Sequence, residues 1–224
     1  MRSVLVLLVL SLSVALCPAA ERRAPKTPGA QPKAPQPQPK AAEPQPPEPF
    51  VEPQTGVVFP LTMGRFTFAG SQKYDKPELG VSIRYTASEP VSVRADIYVY
   101  DLGKKDLGNG IESEAVKAAF EQAKADIVRM ETTKRYKDVK PLPQEPVVLK
   151  VGEKELPMLG AAYEFTILPP PGTSAMPEAV ASHLFLTAYK DKFLKVRFTY
   201  PKAGKEKCAE ALAEFWAALG AALK

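Results

Sequence analysis

The chain predicts an α+β fold: a mostly antiparallel sheet of about six to seven strands packed with two long helices as a sandwich. Three observations carry this expectation. Several segments alternate apolar and polar residues with period two, as half-buried strands do. Two others repeat apolar residues three and four apart, as amphipathic helices do. Short turns join neighbouring strands, which implies antiparallel pairing, and clean alternation implies one wetter sheet face.

The elements follow in order. Met1-Arg2, the apolar run Val4–Leu16 and the small residues after it read as a signal peptide over residues 1–20. The run is too short for a membrane span, which takes about 20 residues. Bacterial lipoprotein signals want a small residue before the cysteine, whereas Leu16 precedes Cys17. Cleavage behind Cys17 is therefore the primary reading, and membrane contact is expected only if Cys17 is lipidated instead. With Cys17 removed, Cys208 stands alone and no intramolecular disulfide forms. The chain is then exported, periplasmic or extracellular. Residues 21–55 hold 11 Pro in 35 positions and read as a disordered linker sampling polyproline II. It is either a stalk or an export leader. A single domain is expected over 56–224.

Within that domain, Val57–Phe59 and the Phe66/Phe68 segment read as short strands, followed by Gly80–Thr86 and Val91–Tyr100. In the last, Val93, Ala95, Ile97 and Val99 point inward and Arg94, Asp96, Tyr98 and Tyr100 outward. A glycine-containing loop, Asp101–Ile111, leads to a helix ending near Glu131 with Val116, Phe120, Ala123, Ile127 and Met130 as its buried stripe. A polar turn is expected around Tyr136, then strands at Val147–Val151 and Leu159–Leu168.

The last forty residues read as a hairpin, His183–Lys190 and Phe193–Tyr200, running into a helix from Lys205 to Leu223. Parity groups Leu184, Leu186 and Ala188 against His183, Phe185, Thr187 and Tyr189. On the second strand Leu194, Val196, Phe198 and Tyr200 are grouped against Lys195, Arg197 and Thr199. Bringing both apolar sets together calls for a three-residue loop pairing Leu186 with Val196 or Phe198. Cys208, Leu212, Phe215, Trp216, Leu219 and Leu223 make one helical stripe to lie across that apolar face.

Early strands, a long helix, the strand Ala161-Ala162-Tyr163-Glu164-Phe165, a final hairpin and a closing Phe215-Trp216 helix resemble the PsbP-like fold of lumenal photosystem accessory proteins and assorted exported bacterial proteins. The resemblance covers roughly residues 56–224. It implies binding or assembly without catalysis and carries over no functional residues.

Chemistry is sparse. The chain has no Gly-x-Ser-x-Gly, His-Glu-x-x-His, Cys-x-x-Cys or phosphate-binding glycine loop, so no catalytic residue, cofactor or metal ligand is assigned. His183, the single histidine, reads as a surface or strand-edge residue, and Cys208 as a small buried hydrophobe. Asp101, Asp106, Asn109 and Glu112 miss the calcium-loop spacing. A formal net charge of +5 is too small to point to nucleic acid. The candidate binding set is the outer strand face: Arg84, Arg94, Lys195 and Arg197 with Tyr98, Tyr100, Phe185 and Tyr189. Arginine beside aromatics is a common interface composition. The expected function is a non-catalytic cell-envelope binding or accessory module for an envelope protein or anionic ligand. The alternative is a small secreted enzyme, hydrolase-like, without a recognisable motif.

Overall fold

Eleven strands and two α-helices follow one another in the described residues, 48–224, of a computed structural model. The expected signal peptide, Cys17 and the linker up to residue 47 lie outside the described residues. The strands are β1 (Phe50–Val51), β2 (Val58–Phe59), β3 (Thr62–Met63), β4 (Phe66–Lys73), β5 (Val81–Ala87) and β6 (Val93–Tyr100). Helix α1 (Glu114–Arg129) precedes β7 (Tyr136–Leu142), β8 (Val147–Val151), β9 (Lys154–Ile167), β10 (Glu178–Tyr189) and β11 (Lys192–Pro201). Helix α2 (Ala209–Ala222) follows after a 3-10 turn at Lys202–Lys207.

The main sheet has nine strands in the order β3-β4-β5-β6-β11-β10-β9-β7, with β8 pairing the first part of β9. Every pairing is antiparallel, so the fold is α+β with a mostly antiparallel sheet. Strands β1 and β2 form a separate ribbon. The expected domain start at Gly56 falls inside this ribbon, since Phe50 pairs with Phe59. Glu52 is buried there, and its carboxylate accepts hydrogen bonds from the Gln54 and Thr55 amides and the Thr55 hydroxyl.

The closing hairpin departs from the expected register. Its turn has two residues, Lys190 and Asp191, both at positive φ (48° and 57°), as the tightest hairpin loop requires. Phe185 therefore faces Val196 and His183 faces Phe198, while Leu186 faces Lys195 and Leu184 faces Arg197. The three-residue loop is corrected to two. The reason is that both faces of this hairpin are apolar at some positions and covered by a helix, so collecting all apolar residues on one face is not the best solution.

Helix α2 takes one face. Phe215, Leu219 and Leu223 are buried against Phe66, Tyr85, Val196 and Phe198. Trp216 is half-buried and meets Phe185 and Phe198 edge-on at 5.1 and 5.2 Å. Helix α1, capped by the Ser113 hydroxyl accepting from the Ala115 amide, takes the other. Its Val116, Phe120 and Ile127 bury Tyr163, Phe165, Leu184, Leu186 and Phe193. The expectation of one wetter face is thus only partly met, since α1 packs on β10 and its neighbours and leaves polar side chains along β5, β6 and β11. Tyr136 opens β7 instead of sitting in a turn, and its ring stacks on Phe165 at 4.1 Å. Among the described residues no helix is long and apolar enough to cross a membrane.

Candidate functional site

The polar strip on the α1 face is built by register, and at one end Tyr100 packs against the α1 cluster. Arg84 on β5 pairs with Asp96 on β6, and Asp96 pairs with Arg197 on β11. One step along, Ser82, Tyr98 and Lys195 make the next row; one step back, Thr86, Arg94 and Thr199 make another. Because side chains alternate along each strand, these rows share a single face. Six of the eight expected residues come together there: Arg84, Arg94, Tyr98, Tyr100, Lys195 and Arg197.

Phe185 and Tyr189 do not join them. The two-residue turn puts both on the opposite face with Leu194 and Val196. Phe185 is buried against Phe198 and Trp216, and the Tyr189 hydroxyl donates to the Leu223 carbonyl. Both residues belong to the packing of α2.

Asp96 is the centre of the strip and the residue missed in the sequence reading. Its side chain is 6% exposed. Arg84 Nε donates to Asp96 Oδ1 at 2.6 Å. Arg94 Nε lies 2.9 Å from Asp96 Oδ2 as an ion pair, although that buried N–H makes no aligned hydrogen bond. The signal was present: Asp96 is the one carboxylate on the outward parity of a strand whose other outward residues are Arg94, Tyr98 and Tyr100. Both arginines spend their Nε on Asp96, and their side chains remain 50% and 39% exposed.

Arg197 points the other way. Its Nε donates to Ser182 Oγ at 2.9 Å and its Nη2 to the Tyr136 hydroxyl at 3.1 Å, with the guanidinium over the Tyr136 and Phe165 rings. Sequence reasoning could not find Tyr136 or Ser182, because they come from strands far away in the chain. Lys195 is half-buried, with Nζ 4.2 Å from the Tyr98 ring centre and 5.4 Å from that of Tyr100. Burial first, then the neighbouring Arg197 charge, push its ammonium down to about 8, with Asp126 of α1 opposing. Burial also pushes the Tyr98 and Tyr100 hydroxyls above their ordinary range. Two arginines therefore hold one buried carboxylate, and two further cations, Lys195 and Arg197, share its face with the tyrosines.

The remaining reactive groups are engaged in packing. His183 is half-buried within β10, not at a surface edge. Its Nδ1 lies 2.5 Å from Gln144 Oε1 and its Nε2 2.7 Å from the Tyr200 hydroxyl, which fits a neutral ring protonated at Nδ1. Burial and then Lys205 lower its basicity. Cys208 is buried and donates to the Gly204 carbonyl, and burial pushes its thiol up. In the glycine loop, Asp101 accepts from Lys192 at 2.6 Å and from the Gly103 amide, while Asn109 accepts from the Lys190 amide at 2.8 Å. These oxygens clamp the loop to the hairpin tip. On the α2 side, Val148, Lys150, Trp216, Ala217 and Ala221 line a groove of about 430 Å³. No family model matches this chain, and no curated protein matches it either.

Proposed function

We propose that this chain is an exported, non-catalytic cell-envelope binding or accessory module that holds an anionic partner on the β5–β6–β11 strip. One observation carries the reading: Arg84, Arg94, Lys195 and Arg197 share one face with a single buried carboxylate, Asp96. Only one of the four charges is neutralised within the strip. Arg84 and Arg94 keep their terminal guanidinium nitrogens for a partner, and arginine forks suit carboxylate and phosphate oxygens. Tyrosines among the cations add amphipathic contact area of the kind enriched at interfaces. The cations spread over three strands without converging on one point, which favours an extended anionic surface over a lone small ion. The resemblance to the PsbP-like fold, read as a sheet sandwiched between two helices, belongs to the same functional class.

The test is salt-dependent binding of poly-L-glutamate, compared between the native chain and the double variant Lys195→Gln, Arg197→Gln. Neither residue touches Asp96, so the Arg84–Asp96–Arg94 cluster is kept. The native chain should bind with an affinity that falls steeply as salt rises. The double variant should lose at least tenfold. Equal binding by the two proteins, or no binding by either at low salt, overturns the reading.

A further inference from the structure

The strip runs out to an open sheet edge. β4 is flanked by β5 on one side and by β3 on the other, but β3 reaches only Phe66 and Thr67, with one further bond from the Phe68 amide to the Leu61 carbonyl. Beyond that point β4 stays in regular register with β5, Gly70 to Arg84, Ser71 to Ile83, Gln72 to Ser82 and Lys73 to Val81. No strand among the described residues pairs its outer side there. Ala69, Ser71, Gln72 and Lys73 are exposed. An unpaired edge of this kind presents a row of backbone donors and acceptors to an incoming chain.

The other end of the sheet is different. β7 carries Pro141, which has no N–H to offer, and its register breaks between Lys137 and Lys140. The irregularity in β4 comes earlier, between Phe68 and Gly70, and leaves the following residues regular. Gly70 matters for a second reason. It stands beside Arg84 on the cationic face, and a Cβ placed there would meet nothing within 4 Å. The face is therefore open between the edge and Arg84, whose side chain is 50% exposed. Neighbouring strands are about 4.8 Å apart, so a strand added to β4 lies two spacings, about 10 Å, from β5. A Glu side chain there meets Arg84 when its guanidinium swings from Asp96 toward the edge and leaves Arg94 on the carboxylate.

We infer that β4 takes an extended acidic peptide segment of a partner protein as an added antiparallel or parallel strand, with alternate Asp or Glu side chains passing over Gly70 to Arg84. The inference rests on the anionic-partner reading and adds the partner's class and mode of binding. Backbone pairing at an edge supplies affinity, and pockets for alternate side chains supply selectivity. Lys73 on the edge disfavours pairing with a second copy of β4; it shares the face of Val81, opposite to Arg84.

The experiment uses an eight-residue peptide alternating Glu and Thr as probe. Its controls are the same peptide N-methylated at alternate amides, an alternating Lys-Thr peptide, and vesicles of phosphatidylglycerol. Binding is measured by titration, with amide hydrogen exchange of β4 as the structural readout. The acidic peptide should bind and slow exchange at residues 69–73, and N-methylation should weaken it at least tenfold. Ser71→Pro should do the same, and the N-methylated probe gives the answer without a variant should Ser71→Pro fail to fold. Equal binding of the N-methylated peptide overturns strand addition while leaving the anionic reading intact. Equal binding of the Lys-Thr peptide removes the role of Arg84, and binding confined to the vesicles replaces the peptide by a membrane surface. If neither acidic probe nor vesicles bind, the anionic reading falls with the inference.

Discussion

The sharpest prediction concerns the charge triad. Asp96 is 4% exposed and has two partners, Arg84 and Arg94. Replacing either arginine by methionine leaves the carboxylate one cation, so each single change should cost about 1 kcal/mol, close to the worth of a net hydrogen bond. Replacing both leaves a buried carboxylate with no partner. Breaking a buried pair in that way costs about 3–5 kcal/mol. The arginines are half in water, so the lower end is expected. The double variant should then exceed the sum of the singles by about 1–2 kcal/mol, as neighbours sharing one partner do. Adding Asp96→Leu to the double variant should recover most of the loss. Urea unfolding at neutral pH, with constant slope as the check on two-state behaviour, gives all four free energies. A double variant within about 0.5 kcal/mol of the summed singles would show that Asp96 does not depend on these two side chains.

Three further outcomes follow from the same geometry. Because the folded-state pKa of Lys195 is pushed down to about 8 from 10.5, the unfolded chain holds an extra proton between those values. Stability should therefore rise with pH from about 8 until the raised Tyr98 and Tyr100 oppose it near pH 10, and Lys195→Met should flatten the rise in the urea midpoint. His183 is neutral in the fold, so its contribution is complete above its unfolded value near 6.5 and is lost as pH falls below it; His183→Asn should remove that part of the acid-side decline. Gly220 lies inside α2, where a Cβ would overlap the Lys150 carbonyl oxygen. Gly220→Ala should destabilise the protein and loosen β8 in hydrogen exchange, against a helix propensity gain of about 1 kcal/mol.

Much of the strip was legible. Alternation alone put Arg94, Tyr98 and Tyr100 on one face of β6 and Lys195 and Arg197 on one face of β11, and the register confirms both sets. Asp96 was legible as an outward residue, but its partnership with Arg84 depends on which strand lies beside β6. A three-residue turn would put Phe185 and Tyr189 on the face of the strip; the two-residue turn puts them on the opposite face. The strands alone favour three, since that count gathers Leu184 and Leu186 with Leu194, Val196 and Phe198 and leaves out only Phe185, Tyr189 and Phe193.

Where a period is clear, the sequence determines the element and the facing of its side chains, because the helix and strand periods are local properties of the backbone; β7, which Tyr136 opens where a turn is expected, has no such period. Val116, Phe120 and Ile127 on α1, and Phe215 and Leu219 on α2, are buried as their spacing requires. Only the tertiary structure decided which face of one strand meets which face of the next. A shift of one residue at Lys190-Asp191 reverses the facing of β10 relative to β11, and nothing in either strand alone resists it. The resistance comes from two helices on opposite faces of the sheet, each burying its own set: α2 with Phe185 and Phe198, α1 with Leu184 and Phe193. Their packing leaves Arg84 and Arg94 on Asp96 away from α1, with Lys195 and Arg197 on β11 between that cluster and the residues α1 covers.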